Sequence, residues 1–210
     1  AGREDQSYRF PALFGIADVL GSSDNSAEND KAIASLERIE ADAPDKEQKE
    51  KALYRICTIL AQKGDWSKCT ERCKEYLDRE KNYRKFGSFV SFLYAQSYDE
   101  RGMSEDALRA YNNVFAAYAG HILVSAPAVK RVMEITWKRG NTAAPPAKSD
   151  QQVAYEFGWK YIDSTRRILG QMSPEEKALW EAVDALVLQY EDDPGTKKME
   201  DIIKEEKASR

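Results

Sequence analysis

The chain has 210 residues, enough for one solenoid or for one to two compact domains. It is 42% hydrophobic and 32% charged, with a mean hydropathy of -0.68, which suits an elongated helical protein with much surface per residue. A net charge of -4 without a basic stripe speaks against a nucleic-acid partner, and no apolar run is long enough to span a bilayer. No signal peptide is visible in a chain that opens on AGRED, so its start says nothing of export.

Residues 1–6 read as frayed. A first helix is expected from Ser7 to Leu20, with Phe10, Leu13, Phe14, Ala17 and Leu20 on one stripe and Pro11 in its first turn. After the loop GSSDNSAEN, a second helix is expected from about Ala27 to Ala41, carrying Ala32, Leu36 and Ile39, and ADAPD ends it. The next runs from about Lys46 to Lys63, with Leu53, Ile56, Cys57 and Leu60 at intervals of three and four. Gly64 and Asp65 make a short turn, and Trp66 to Arg79 returns, burying Cys69, Cys73, Tyr76 and Leu77. A further pair covers about Arg84 to Arg101 and Ser104 to Tyr118, with Ser104 read as an N-cap ahead of acidic residues. Another helix is expected from about Ser125 to Arg139, with Pro127 early in it.

The stretch GNTAAPPAKSD at 140–150 then interrupts a hairpin; it reads as a surface insertion, with a recognition loop as the alternative. Helices resume at about Asp150 to Leu169 and Pro174 to Tyr190. Ser173-Pro174-Glu175-Glu176 supplies a cap, a proline at the first position and acids in the first turn. Asp193-Pro194-Gly195 stops that helix, and residues 196–210 form one more polar helix or fray.

A period runs through this order. Gly64, Gly102 and Gly140 are spaced 38 apart, as are the breakers Pro44, Asn82 and Gly120. A fixed repeat of this size means stacked helical hairpins. The segment KALYRICTILAQKGDWSKCTERCKEYL resembles a tetratricopeptide repeat. Cys57 supplies the small residue of the first helix, Gly64-Asp65-Trp66 the turn, Cys69 the second small residue, and Cys73 and Tyr76 the buried stripe. In the following repeat Ala95, Gly102, Ala107, Tyr111 and Val114 take those places. The third keeps Gly140 and Asn141, but Met133 replaces the small residue. Short side chains let two antiparallel helices approach to about 8–10 Å where they cross. The resemblance covers about residues 46–141 well and 7–45 weakly. The family's usual period is about 34 residues. The longer one here is similar to that of bacterial envelope tetratricopeptide proteins such as outer-membrane assembly lipoproteins and cell-division coordinators.

The resemblance implies an all-α, right-handed α-α superhelix of about nine helices. Residues 1–192 form one domain, with hairpins at about 7–42, 46–80, 84–118 and 124–169 and a cap helix at 174–190; a polar tail follows at 193–210. In this family the first helices of successive hairpins line a concave groove. The positions facing it are Tyr54, Thr58, Phe89, Phe92, Gln96, Lys130, Glu134 and Trp137, with Arg131 beside them. Aromatic residues with nearby charges are material for protein or peptide recognition. The alternative is that Phe89 and Phe92 pack against the neighbouring hairpin, and Trp137 under the inserted loop. Tyr54, Thr58 and Leu93 stand where the carboxylate clamp of the family's chaperone-tail binders would need Lys or Asn.

Catalysis finds little support. Glu191-Asp192-Asp193 resembles a metal-binding cluster, but its place at a helix end reads as a solvated terminus. His121 is the sole histidine, no Ser/His/acid or Cys/His set is evident, and no glycine-rich phosphate loop occurs. Cys57, Cys69 and Cys73 read as small buried side chains, with a Cys57–Cys69 bridge conceivable. The expectation is therefore a non-catalytic scaffold without cofactor or metal. It binds a protein or peptide as a monomer or weak homo-oligomer, in a periplasmic or exported setting with cytoplasmic as the alternative, and peripheral membrane association stays open. The alternatives are a self-assembling structural protein and an enzyme on an α/α scaffold.

Overall fold

The structure, a computed structural model, describes residues 9–79, 85–140 and 148–208. The inserted loop after Gly140 and the linker around Asn82 fall largely outside the described residues, as does Ser7. The fold is all-α: among the described residues there are ten α-helices and no strand. They are α1 (Arg9–Gly21), α2 (Ser26–Asp42), α3 (Lys46–Gln62), α4 (Trp66–Asp78), α5 (Gly87–Glu100), α6 (Ser104–Tyr118), α7 (Ile122–Arg139), α8 (Asp150–Thr165), α9 (Pro174–Glu191) and α10 (Met199–Ala208). The chain divides into two compact units, Ala1–Ala107 and Leu108–Arg210.

In the first unit each helix from α1 to α5 packs on the next, and α3 also touches α5. Its core joins Phe10 and Ala17, Leu36 and Ile39, Leu53, Ile56 and Cys57, Cys69, Cys73 and Tyr76, and Val90. Asp45 accepts the Glu47 amide at 3.2 Å and Asp65 the Lys68 amide at 3.4 Å, so α3 and α4 begin on side-chain caps. The Cys69 thiol lies 3.5 Å from the Cys57 carbonyl, the close helix crossing expected of two small residues. All three cysteines are free and buried, with the Cys69 and Cys73 sulfurs 3.9 Å apart.

In the second unit α7, α8 and α9 pack on one another around Ile122, Val129, Met133, Tyr155, Tyr161, Trp180, Val183 and Val187. Met133 is accommodated by Gly158 of α8. A Cβ at Gly158 would stand 2.5 Å from the Met133 methyl and 2.8 Å from Val187 Cγ2. The small residue has moved from one helix to its partner, so the close crossing survives.

Gly64, Gly102 and Gly140 have φ of +71°, +73° and +66°, and among the described residues they are the positive-φ positions. They follow the ends of α3, α5 and α7 in a conformation that a Cβ disfavours.

Several boundaries differ from those read in sequence. Ser104 is the first helical residue rather than the cap, because the Met103 carbonyl takes the Ala107 amide at 2.9 Å. α7 starts at Ile122, since the His121 carbonyl accepts the Ser125 amide at 3.0 Å; Pro127 therefore lies inside it. α8 stops at Thr165 and a 3-10 turn follows at Arg166–Gln171. The Thr165 hydroxyl donates to the Tyr161 carbonyl at 2.7 Å and accepts the Trp180 indole N–H at 2.9 Å. Ser173 and Glu176 form the reciprocal capping box that starts α9.

The count of about nine helices becomes ten because the polar tail folds. Gln152 bonds both the Lys197 amide, at 2.7 Å, and its carbonyl, at 3.0 Å. The Tyr155 hydroxyl receives the Met199 amide at 3.2 Å, and Met199 is buried.

Candidate interaction face

The α3 stripe Leu53, Ile56, Cys57 and Leu60 is buried, which leaves Tyr54 and Thr58 at its margin. On α5, Val90, Ala95 and Ser97 are buried, and Phe89, Phe92 and Gln96 flank them. All five marginal residues are half-buried. The Tyr54 ring stacks on Phe86 at 4.5 Å with 4° between planes, and Phe89 tilts against it at 6.1 Å. These rings bridge α3 and α5. The hydroxyl of Thr58 is taken up by the Tyr54 carbonyl at 3.1 Å, so Thr58 offers its methyl more readily than a hydrogen bond.

Sequence reasoning misses Phe86. Its spacing of three from Phe89 is the available signal. A buried carboxylate holds it in place. Glu50 of α3 accepts from the Tyr76 hydroxyl, from the Lys85 amide at 2.6 Å and from the Phe86 amide at 3.3 Å. The Phe86 amide also lies 3.1 Å from the Tyr76 oxygen. Glu50 thus caps α5 from another helix, and the capped residue is the ring that meets Tyr54.

The remaining predicted positions lie on α7 in the second unit. Lys130, Arg131, Glu134 and Trp137 are half-buried beside the buried Val129, Val132, Met133 and Thr136. Glu134 pairs with Arg131 and, at 3.9 Å, with Lys130. Trp137 stacks on Tyr190 of α9 at 3.7 Å with 13° between planes. Burial, and then the Glu134 charge, pushes the Tyr190 phenol up to about 12. Trp137 is therefore part of an α7–α9 contact.

Two further groupings of polar side chains, one in the first unit's α2–α4 region and one at the cysteines, are structural in character. A cavity of about 590 Å³ at α2 and α4 is lined by Glu37, Glu40, Arg72 and Arg79 among others. Arg72 and Arg79 each reach Glu40 at 2.9 Å, so the charges neutralise one another. Contacts with Cys57 and Cys69, then burial, hold the Cys73 thiol well above the usual thiol range. A protonated, buried thiol is a packing group rather than a nucleophile. Among the described residues no group of three or more His, Cys, Asp or Glu side chains is placed to hold a metal ion. No described helix is long and apolar enough to cross a membrane.

A scan of the chain against family models gave no match, and a search against curated proteins gave no significant match.

Proposed function

We propose that this chain is a non-catalytic, tetratricopeptide-like scaffold that holds a protein or peptide segment against the half-buried face of α3 and α5. The observation that carries this reading is the ring set Tyr54, Phe86 and Phe89. It lies beside Phe92 and Gln96 on the helices that would line a repeat protein's groove. Rigid aromatic side chains give contact area at low entropic cost, and flanking amides and charges set register. The recurrence of positive-φ glycines at the 38-residue interval supports the repeat assignment. The lengthened period supports a place in a bacterial envelope complex, which fractionation of the source cells would test.

The test is site-specific photocrosslinking in the source cells. A benzophenone side chain at Thr58 or Gln96 should trap a partner, one at the exposed Lys74 should not, and Phe92→Ala should reduce the yield. Equal trapping at all three positions, or a yield indifferent to Phe92→Ala, refutes the face.

A second reading, self-assembly, draws on the outer side of α1, where Ile16 and Val19 are 47% and 74% exposed. Light scattering across a concentration series separates the two. A mass that rises with concentration and collapses in Val19→Glu supports assembly.

A further inference from the structure

α1 carries two charged residues, Arg9 and Asp18, and both are engaged inside the first unit. Arg9 pairs with Asp42 at 2.6 Å, and Asp18 pairs with Arg55 of α3. The Lys51 ammonium stands over the Phe14 ring at 4.7 Å, and Phe10 and Ala17 enter the core. The side of α1 turned away from that core is exposed and carries no charge. Ala12, Gly15, Ile16 and Val19 follow one another at steps of three, one and three, so they share one face, and all four are exposed. Ile16 and Val19 are two of the large apolar side chains that the first unit leaves to solvent.

Gly15 is a second, separate observation. A glycine inside a helix weakens it relative to alanine, and close packing is the usual reason to keep one. Gly21 has that reason, since a Cβ there would stand 2.7 Å from Ile59 Cδ1. A Cβ at Gly15 would meet no atom within 4 Å among the described residues. The first unit's own packing therefore does not call for Gly15, whereas close approach by a second helix would.

The order of small and large residues selects the occupant. Ala12 and Gly15 come first along the helix, Ile16 and Val19 after them. A second α1 running antiparallel, about a two-fold axis between Gly15 and Ile16, sets Val19 against Ala12 and Ile16 against Gly15. Each large side chain then faces a small one. A parallel copy would set large against large and leave Ala12 and Gly15 across a gap. Charge agrees with the antiparallel arrangement. Arg9 opens α1, while Asp18 lies in its last turns and Asp24 just past its end. Antiparallel pairing brings the basic start of one copy to the acidic end of the other and sets the two helix dipoles head to tail.

We infer that the outer face of α1 is a dimerisation surface, occupied by α1 of a second copy packed antiparallel across a two-fold axis between Gly15 and Ile16. The inference rests on the self-assembly reading and fixes its geometry. A two-fold face is used up by one partner, so assembly closes at two copies and does not grow into a fibre. A helix of this length spans about 20 Å, which puts the pair among small, weak and reversible interfaces. Phe14 and Asp18 turn toward α3, so pairing leaves the α3–α5 face open.

Sedimentation equilibrium of the full chain and engineered disulfides test the pair together. Across about 10 μM to 1 mM, the range of a weak interface, the mass should rise from 23.9 kDa toward twice that value and stop. Gly15→Leu should hold the mass at the monomer while its urea midpoint stays level or rises, because the new Cβ enters open space. If that variant does not fold, the disulfides decide. Diamide oxidation of an equimolar mixture of Ala12→Cys and Val19→Cys should give the mixed dimer several-fold faster than either variant alone gives its homodimer. The three native cysteines are buried and stay out of the reaction, and Lys74→Cys on the exposed side of α4 sets the background. A mass constant at 23.9 kDa overturns the pair together with the self-assembly reading. Growth beyond two copies, homodimers that form as fast as the mixed dimer, or a dimer that persists in a folded Gly15→Leu overturns the antiparallel pair and leaves self-assembly standing.

Discussion

The crossing of α7 and α8 supports a quantitative test. Met133 is fully buried, and Gly158 leaves the space its thioether fills. In Gly158→Ala the new methyl would stand 2.5 Å from Met133 Cε and 2.8 Å from Val187 Cγ2, so both neighbours must move. Overpacking of this kind costs about 1–3 kcal/mol. Alanine in a helix recovers about 1 kcal/mol over glycine, leaving a net loss of about 0–2 kcal/mol. Met133→Ala alone opens a cavity and should cost about 2–5 kcal/mol. In the double variant the methyl introduced by Gly158→Ala enters the space that Met133 vacates. The combined loss should therefore fall short of the sum of the singles by about 0.5–3 kcal/mol. Urea unfolding followed by tryptophan fluorescence measures all four proteins, with Trp137, Trp159 and Trp180 reporting on this unit. Losses that add to within about 0.5 kcal/mol would show that Met133 and Gly158 do not share one space, and the account of the displaced small residue would fail.

Replacing Glu50 with Ala strips an acceptor from Tyr76 and from the Lys85 and Phe86 amides. The expected loss is about 2–3 kcal/mol by urea unfolding, with Glu50→Gln less severe. Gly102→Ala meets no atom within 4 Å but must hold a φ of +73°, so a loss of about 1–2 kcal/mol isolates backbone strain; no change in midpoint would contradict it. Burial leads the causes that push the phenols of Tyr155, Tyr161 and Tyr190 from 10.0 up to about 12. The folded state thus keeps protons that the unfolded chain releases first. Stability of the second unit should hold below the ordinary phenol value and fall as pH rises from there through the folded values. Tyr161→Phe should flatten that decline in a series of urea midpoints. Ser173→Ala removes half of the capping box and should cost about 1 kcal/mol in the same assay.

Much of the helical plan was legible because two signals coincided. Apolar spacing marked the buried stripes, and Gly64, Gly102 and Gly140 marked turns where positive φ is required. The Ser173 start was legible for the same reason, since cap, proline and acids agree. The Met133 partner was not, because an inserted segment separates it from Gly158 and removes the regular interval on which such pairing rests. The folding of the tail was also hidden. It depends on Gln152 and Tyr155, which lie more than forty residues upstream. For the candidate face, spacing picked out Tyr54, Thr58, Phe89, Phe92 and Gln96 at the margin of the buried stripes, where the structure leaves them half-buried. It missed Phe86, whose position is set by a carboxylate on another helix. It also missed Tyr190, which covers one side of Trp137.

Glu50 has a consequence for how the first unit comes apart. One carboxylate belongs to the interior of a hairpin and also closes the first turn of the helix that follows. Peeling α5 away would take the Lys85 and Phe86 amides from the Glu50 carboxylate, and melting α3 would leave α5 frayed at its start. The α3–α4 hairpin and the start of α5 are thereby tied into a single opening event. Amide protons of α3 and of Lys85 and Phe86 should accordingly exchange with solvent together, at one rate, rather than in sequence from the chain end.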